Sequence, residues 1–279
     1  MITVKGIESH ISHACNLTCE SCVDFTNHGH NEMMSVDTLR EWFSLWNKRI
    51  RPQWVTLLGG EPLLNKELFE ILYLTKEMWP RSEFEYFELV TNALLIPKWP
   101  DLGKILKDTN FTLTISLHGD KNNEPYKKRM KQSFDIVNNW IAEYKIKVSM
   151  QPFVGNWRRV YKGFGITSEP FEDGDPEESW NNCPTDQACF QLHRGNLYKC
   201  PQVAYLPLQK EKYGPLLSEK WDPYLKYIPL TPDCSDEEIV EFFNRKCESV
   251  CGMCPKNVIE FKKNDPLLPV SYYETLSNL

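Results

Sequence analysis

Short apolar stretches and amphipathic stretches alternate through the first half of this chain, and that alternation leaves it few folds to adopt. Strand-like segments fall near residues 3–11, 54–58, 86–91, 111–117 and 146–153. Helix-like segments separate them, near 36–49, 66–79, 98–107 and 130–144. In the first helix Leu39, Trp42, Phe43 and Trp46 recur at i, i+3, i+4 and i+7, behind Ser35 as N-cap. Asn65 opens the second helix and Pro80 stops it; in the fourth, Phe134, Val137, Ile141 and Tyr144 share a face. Strands that alternate with helices predict a parallel sheet, because each helix is the crossover such a sheet needs. The expected fold class is therefore α/β: an open partial (β/α) barrel of five or six parallel strands over residues 1–155. No sixth unit is evident. Residues 156–182 are rich in Gly and Pro, carry an acidic run from Glu172 to Glu178, and read as a linker with a solvated surface stretch. Residues 183–279 read as a small cysteine-rich module containing a β-hairpin and a helix.

Three of the ten cysteines, Cys15, Cys19 and Cys22, form a C-x3-C-x2-C run. Three thiolates can hold a cubic iron–sulfur cluster and leave its fourth iron without a protein ligand, where most such clusters take four cysteines. The preceding segment, Ile7 to Ser12, alternates as a strand does. The cysteines thus fall in the loop after a strand, where α/β barrels carry their chemistry. Further on, the apolar run Trp54 to Leu58 ends in Gly59-Gly60-Glu61-Pro62. The competing reading is a structural zinc site, with His10, His13, His28 and His30 nearby. Zinc does not account for the Gly-Gly-Glu-Pro turn.

This combination resembles the radical S-adenosylmethionine (radical SAM) superfamily. The resemblance implies a 4Fe–4S cluster on Cys15, Cys19 and Cys22, with SAM chelating the open iron. One-electron reduction of SAM then yields methionine and a 5′-deoxyadenosyl radical, which takes a hydrogen atom from substrate. The turn at Gly59, Gly60 and Glu61 is implied to contact the SAM amino group, its glycines letting backbone approach. Thr91-Asn92-Ala93 resembles the family's ribose turn, and Ser116 opens a segment whose Ser contacts SAM, with His118 in place of the usual Asp. Arg129 is a candidate for the methionine carboxylate and Gln151 for a contact at the same mouth. The family's aromatic residue before the third cysteine is Ser21 here, and Phe25 is the expected substitute. Any of His10, His13, His28, His30 and His193 is a candidate acid or base, with packing as the default; Trp54, Trp157 and Trp180 read as packing residues.

The second cysteine group comprises Cys183, Cys189, Cys200, Cys234, Cys247, Cys251 and Cys254. Cys247, Cys251 and Cys254 repeat the C-x3-C-x2-C spacing, but follow a helix capped by Ser235 and Glu238 rather than a strand. The spacing Cys183-x11-Gly195-x4-Cys200 with later Cys251-x2-Cys254 resembles the SPASM/Twitch module of radical SAM enzymes. That resemblance implies a hairpin turning at Arg194-Gly195 and one auxiliary 4Fe–4S cluster, the Twitch form. Cys183, Cys200, Cys251 and Cys254 fit its spacing, Cys189 competes with Cys183, and Cys247 competes with Cys251. Spacing alone does not separate four thiolates on zinc from four on a cluster.

Composition narrows the setting. With 279 residues, 41% of them hydrophobic and 25% charged, the chain can build a core, and its net charge of −6 argues against a dedicated nucleic-acid surface. No apolar stretch is membrane length and the N-terminus is not a signal peptide, so the expected place is the cytoplasm, where clustered cysteines bind metal. The expected function is abstraction of hydrogen from a C–H bond of a small-molecule, sugar- or nucleotide-like substrate, the auxiliary cluster assisting net oxidation. An external donor such as flavodoxin or ferredoxin is the expected electron source. The alternatives are a peptide maturase forming a crosslink or thioether, and an iron–sulfur electron carrier or redox sensor. The first of these is made less expected by the chain beginning about fourteen residues before Cys15, which leaves no room there for a peptide-binding domain.

Overall fold

The structure, a computed structural model, describes residues 1–79, 86–118, 123–151, 157–172, 174–183 and 189–261. The chain divides into two compact units, Met1–Asn16 with Asn31–Val154, and Leu17–His30 with Gly155–Leu279. The division falls inside the loop that carries the first three cysteines.

In the first unit the order is β1 (Ile2–Ser12), α1 (Val36–Trp46), β2 (Ile50–Gly59), α2 (Leu68–Met78), β3 (Tyr86–Thr91), α3 (Leu102–Thr109), β4 (Phe111–Ser116), α4 (Glu124–Tyr144) and β5 (Lys147–Gln151). The five strands pair in parallel in the order β5-β4-β3-β2-β1, with β5 at the edge. This is the open parallel α/β sheet expected from the alternation. Ser35 caps α1 through the Thr38 N–H, and Leu39, Trp42, Phe43 and Trp46 are its buried face. On β2 to β4 the residues Val55, Leu57, Phe87, Leu89, Phe111, Leu113 and Ile115 are buried. Their partners in the two-residue period (Thr56, Glu88, Thr112, Thr114, Ser116) are polar, and Glu88 accepts from Thr56 and Thr114 on the neighbouring strands.

Three local expectations shift. α4 buries Tyr126, Met130, Ser133, Val137 and Trp140, whereas Ile141 is exposed. The reason is tertiary: Gly103 of α3 lacks a Cβ where the Trp140 ring lies, a built Cβ standing 2.3 Å from it, so that indole sets the rotation of the helix. α2 starts at Leu68 rather than 66, because Asn65 turns its amide inward to Ile11 O (2.7 Å) and Met34 O (2.8 Å). The helix expected at 98–107 is a short 3-10 turn, Ile96–Lys98, followed by α3. Pro80, the end of the strand expected at 146–153, and everything after residue 261 lie outside the described residues.

The second unit contains β6 (Trp157–Arg158), α5 (Pro176–Asn181), the antiparallel hairpin β7 (Gln191–His193) and β8 (Asn196–Tyr198), α6 (Pro201–Tyr213), α7 (Asp222–Leu225), α8 (Asp236–Asn244) and β9 (Glu260–Phe261). Arg194 and Gly195 turn the hairpin with φ of 49° and 76°, the left-handed pair a two-residue turn needs. Ser235 and Glu238 make the expected capping box on α8. Residues 157–172, read from sequence as part of a linker, are folded: Val160 and Tyr161 join Tyr205, Leu206, Trp221 and Met253 in the core. The Ser21 hydroxyl, accepting from Val160 N–H at 3.0 Å, satisfies that backbone where no regular element does.

Candidate functional site

At the carboxyl end of β1 the chain turns toward Cys15. Ser12 shapes the turn, its hydroxyl donating to Ala14 O at 2.9 Å and accepting from Ala14 N–H at 3.1 Å. The far end of the cysteine loop returns beside it, with His13 N–H on Glu32 O (2.8 Å) and Met34 N–H on Ile11 O (3.1 Å). The Gly59-Gly60-Glu61 turn is stitched onto the same segment: Gly60 N–H donates to Ser12 O and Glu61 N–H to Ala14 O, both at 2.8 Å. The glycines permit this. A Cβ on Gly59, whose φ is +151°, would stand 2.1 Å from Ser12 O, and one on Gly60 would stand 2.3 Å from Ala14 O. Their described role is thus backbone against backbone within this unit.

Glu61 is fully buried, and its side chain points into the protein rather than to solvent. One carboxylate oxygen accepts from Thr91 Oγ1 (2.6 Å) and Leu63 N–H (2.9 Å), the other from Asn92 N–H (2.9 Å). Asn92 in turn donates to Asn16 Oδ1 at 2.8 Å. The ends of β2 and β3 are thereby locked to the residue after Cys15; Asn16, which no motif singled out, is the link. Burial pushes the Glu61 carboxyl up to about 7, against the pull of its three donors. Because the folded state then holds this proton more tightly than the unfolded chain, its contribution to stability is complete below the ordinary value of 4.5 and is lost as pH rises toward 7. The stability of the protein relative to Glu61→Gln is expected to fall by about 2–3 kcal/mol between pH 4.5 and pH 7.5, read from urea midpoints. A difference that is flat or rises with pH would show a carboxylate that stays ionised.

Ser116 and Gln151 end adjacent strands, register-paired, with Leu117 N–H on Gln151 O at 3.2 Å. Ser116 is half-buried and Gln151 exposed; Arg129 is exposed on α4. His118 N–H is held by Tyr126 Oη at 2.9 Å. His10 and His13 are buried with Nδ1 atoms 3.4 Å apart, at the end of β1. Trp54 packs where Gly6 leaves room, and stacks on Tyr86.

In the second unit Cys19 is buried and Cys22 half-buried. Although part of its surface is open, Cys22 is enclosed enough that desolvation, then the Asp24 charge, pushes its thiol up to about 12. Phe25 is not free to meet an adenine: it is fully buried, stacked on Tyr161 at 5.0 Å and edge-on to Trp221 at 6.0 Å. His28 is a core residue too, its Nε2 3.1 Å from Tyr161 Oη, and burial holds its pKa well below the usual imidazole value. His30 lies 2.7 Å from the Gln209 amide, and His193 packs on Tyr205.

A cavity in the second unit, about 570 Å³ including the space at its mouth, is lined by Cys183, Cys200, Cys251 and Cys254. Three elements bring them together. Cys183 follows α5, Cys200 caps α6, and Cys251 and Cys254 sit in and just after the 3-10 turn Ser249–Met253. Gly174 lets the chain entering α5 approach that turn, since a Cβ there would be 1.9 Å from Gly252 O. The Val203 and Gln202 N–H groups at the helix start favour the Cys200 thiolate, yet burial and the neighbouring thiols push the thiol up to about 12. Cys254 Sγ–H donates to Gln202 Oε1 at 2.8 Å. Thiols raised chiefly by burial, and further by one another, are those that a bound cation would deprotonate. They line the walls without meeting at a point: among the described residues no three His, Cys, Asp or Glu side chains could hold a single metal ion. Cys189 and Cys234 do not line this cavity, and Cys247 is exposed. All ten cysteines are thiols, none in a disulfide. Lys199, Gln202 and Val250 are among the wall residues that sequence reasoning missed.

Together these features define an open parallel α/β sheet whose first strand leads into Cys15 beside a Gly-Gly-Glu turn. The radical SAM superfamily model matches residues 9–155, more than half of the chain, and the protein belongs to that superfamily of enzymes. Membership implies a 4Fe–4S cluster and SAM. Among solved structures, the chain is similar to native anSMEcpe with bound AdoMet and the Cp18Cys peptide, at 20% identity over 53% of this chain and 42% of that one, TM-score 0.40. It is similar to Streptococcus suis SuiB bound to the precursor peptide SuiA, at 17% identity over 53% of this chain and 39% of that one, TM-score 0.36. It is also similar to HydG, a maturase of the [FeFe]-hydrogenase, at 10% identity over 55% and 44%, TM-score 0.34. Each likeness spans less than half of the neighbour's length. No curated protein matches the chain. Among the described residues no helix is long and apolar enough to cross a membrane.

Proposed function

We propose that the protein cleaves SAM reductively and removes a hydrogen atom from a C–H bond of a small-molecule, sugar- or nucleotide-like substrate, an auxiliary 4Fe–4S cluster assisting a net oxidation. The observation that carries this reading is the convergence of Cys183, Cys200, Cys251 and Cys254 on one cavity. Soft thiolates suit iron–sulfur clusters, and the Val203 and Gln202 N–H groups at the start of α6 favour the charged form of Cys200. When bound, such clusters supply one-electron chemistry that no side chain here can perform. Cys15, Cys19 and Cys22 hold the SAM-binding cluster in this reading, and the four cavity thiols hold the auxiliary one. Asn92, through Glu61 and Asn16, keeps the turn rigid beside SAM; Ser116, Arg129 and Gln151 are the contacts proposed at the strand ends. A substrate that has lost a hydrogen atom must shed one more electron to become a closed-shell oxidised product, and a fully ligated cluster is an acceptor for it. The external one-electron donor is of the flavodoxin or ferredoxin kind.

The test is anaerobic reconstitution with iron, sulfide and zinc counted. Wild type is expected to hold about eight irons, the sum of two 4Fe–4S clusters, and Cys200→Ala about four while still forming 5′-deoxyadenosine. Zinc at the cavity, or unchanged iron in Cys200→Ala, sinks the auxiliary reading. The peptide-maturase reading draws support from β5, an edge strand whose residues are mostly exposed and which offers its backbone to an extended peptide.

A further inference from the structure

Lys199 is buried in the wall of the four-cysteine cavity, next in sequence to Cys200. Its ammonium donates to Arg245 O at 3.0 Å and stands 4.3 Å over the Trp180 ring, which lines the same cavity. The facing carboxylate, Glu248, is 3.4 Å away and shared with Arg245, whose guanidinium lies 3.2 Å from its other oxygen. Lys199 and Arg245 share Glu248, Arg245 reaching Glu241 as well at 3.4 Å, and the Lys199 side chain is only 3% exposed. A lysine is rarely buried to that degree unless something compensates it.

We infer that Lys199 is a positioning residue whose ammonium raises the reduction potential of the group held by Cys183, Cys200, Cys251 and Cys254, a step that rests on the auxiliary-cluster reading. Adding an electron to a cluster adds negative charge, and a fixed cation in a poorly screened site favours the reduced form. Trp180 and the Arg245 carbonyl hold the ammonium in place, so its effect does not depend on a mobile side chain.

The experiment is a redox titration of the auxiliary cluster alone, in full-length protein carrying Cys15→Ala, Cys19→Ala and Cys22→Ala, followed by the spectroscopic signal of the reduced cluster. Adding Lys199→Met is expected to lower the reduced-to-oxidised ratio at a fixed potential at least tenfold, about 59 mV for a one-electron couple. Lys199→Arg, which keeps the charge, is expected to stay near the parent value. Glu248→Gln, which removes the opposing charge, is expected to move the ratio the other way, and it serves if Lys199→Met fails to hold iron. Full iron content with an unchanged ratio in both Lys199→Met and Glu248→Gln overturns the inference. Absence of iron in the parent protein overturns the auxiliary reading itself, and is told apart by the metal count.

Discussion

Replacing Cys15, Cys19 and Cys22 together by alanine is expected to bring 5′-deoxyadenosine formation to the no-enzyme background while iron falls from about eight to about four per chain. Three thiolates are the least that can hold a cubic cluster with an iron left open, and no neighbouring residue can replace the electron this site delivers. The chain contains its own control. Cys247, Cys251 and Cys254 have the same spacing, but Cys247 is exposed whereas Cys251 and Cys254 face the cavity. Cys247→Ala is therefore expected to keep both the iron content and SAM cleavage of wild type. Retention of SAM cleavage by the triple variant would falsify the assignment of the first loop. Loss in Cys247→Ala would show that the second run works as a unit.

Gly59→Ala is expected to cut SAM cleavage by roughly 100-fold, because misplacing reacting groups by about 1 Å costs that much. The added methyl meets backbone rather than a yielding side chain, at 2.1 Å from Ser12 O, and φ of +151° penalises any Cβ there. Strain and the displaced Gly60 N–H to Ser12 O hydrogen bond together cost about 3 kcal/mol, seen as a lower urea midpoint. The cavity cysteines lie in the other compact unit, so iron at the auxiliary position is expected to be unaffected. Cleavage at the wild-type rate would mean that the turn does not position the cysteine loop.

What could be read in advance was local. The face of α1, the capping box of α8 and the turn at Arg194-Gly195 each depend on residues a few positions apart. The face of α4 differs from its sequence pattern because Trp140 answers to Gly103 on another helix. Residues 157–172 read as a linker in sequence because Gly163, Gly165 and Pro170 break their apolar residues into pieces too short to show a period. Val160 and Tyr161 become core residues only when Ser21 and Asn27, more than a hundred positions earlier, satisfy their polar groups. Phe25 looked available for a ligand and is packed under Tyr161 instead.

The amino-acid order by itself determined the parallel α/β sheet, through the alternation of two periodicities, and the chemical class of the first loop, through the type and spacing of three thiols followed by Gly-Gly-Glu-Pro. Only the tertiary structure decided that Cys183 rather than Cys189 shares a cavity with Cys200, Cys251 and Cys254, and that Lys199 stands in its wall. The physical reason is separation along the chain. Those four thiols are brought together by where α5 ends, where α6 begins and how closely Gly174 lets the chain approach Gly252. Spacing constrains neighbours within a turn or two, whereas packing alone sets distances between segments tens of residues apart.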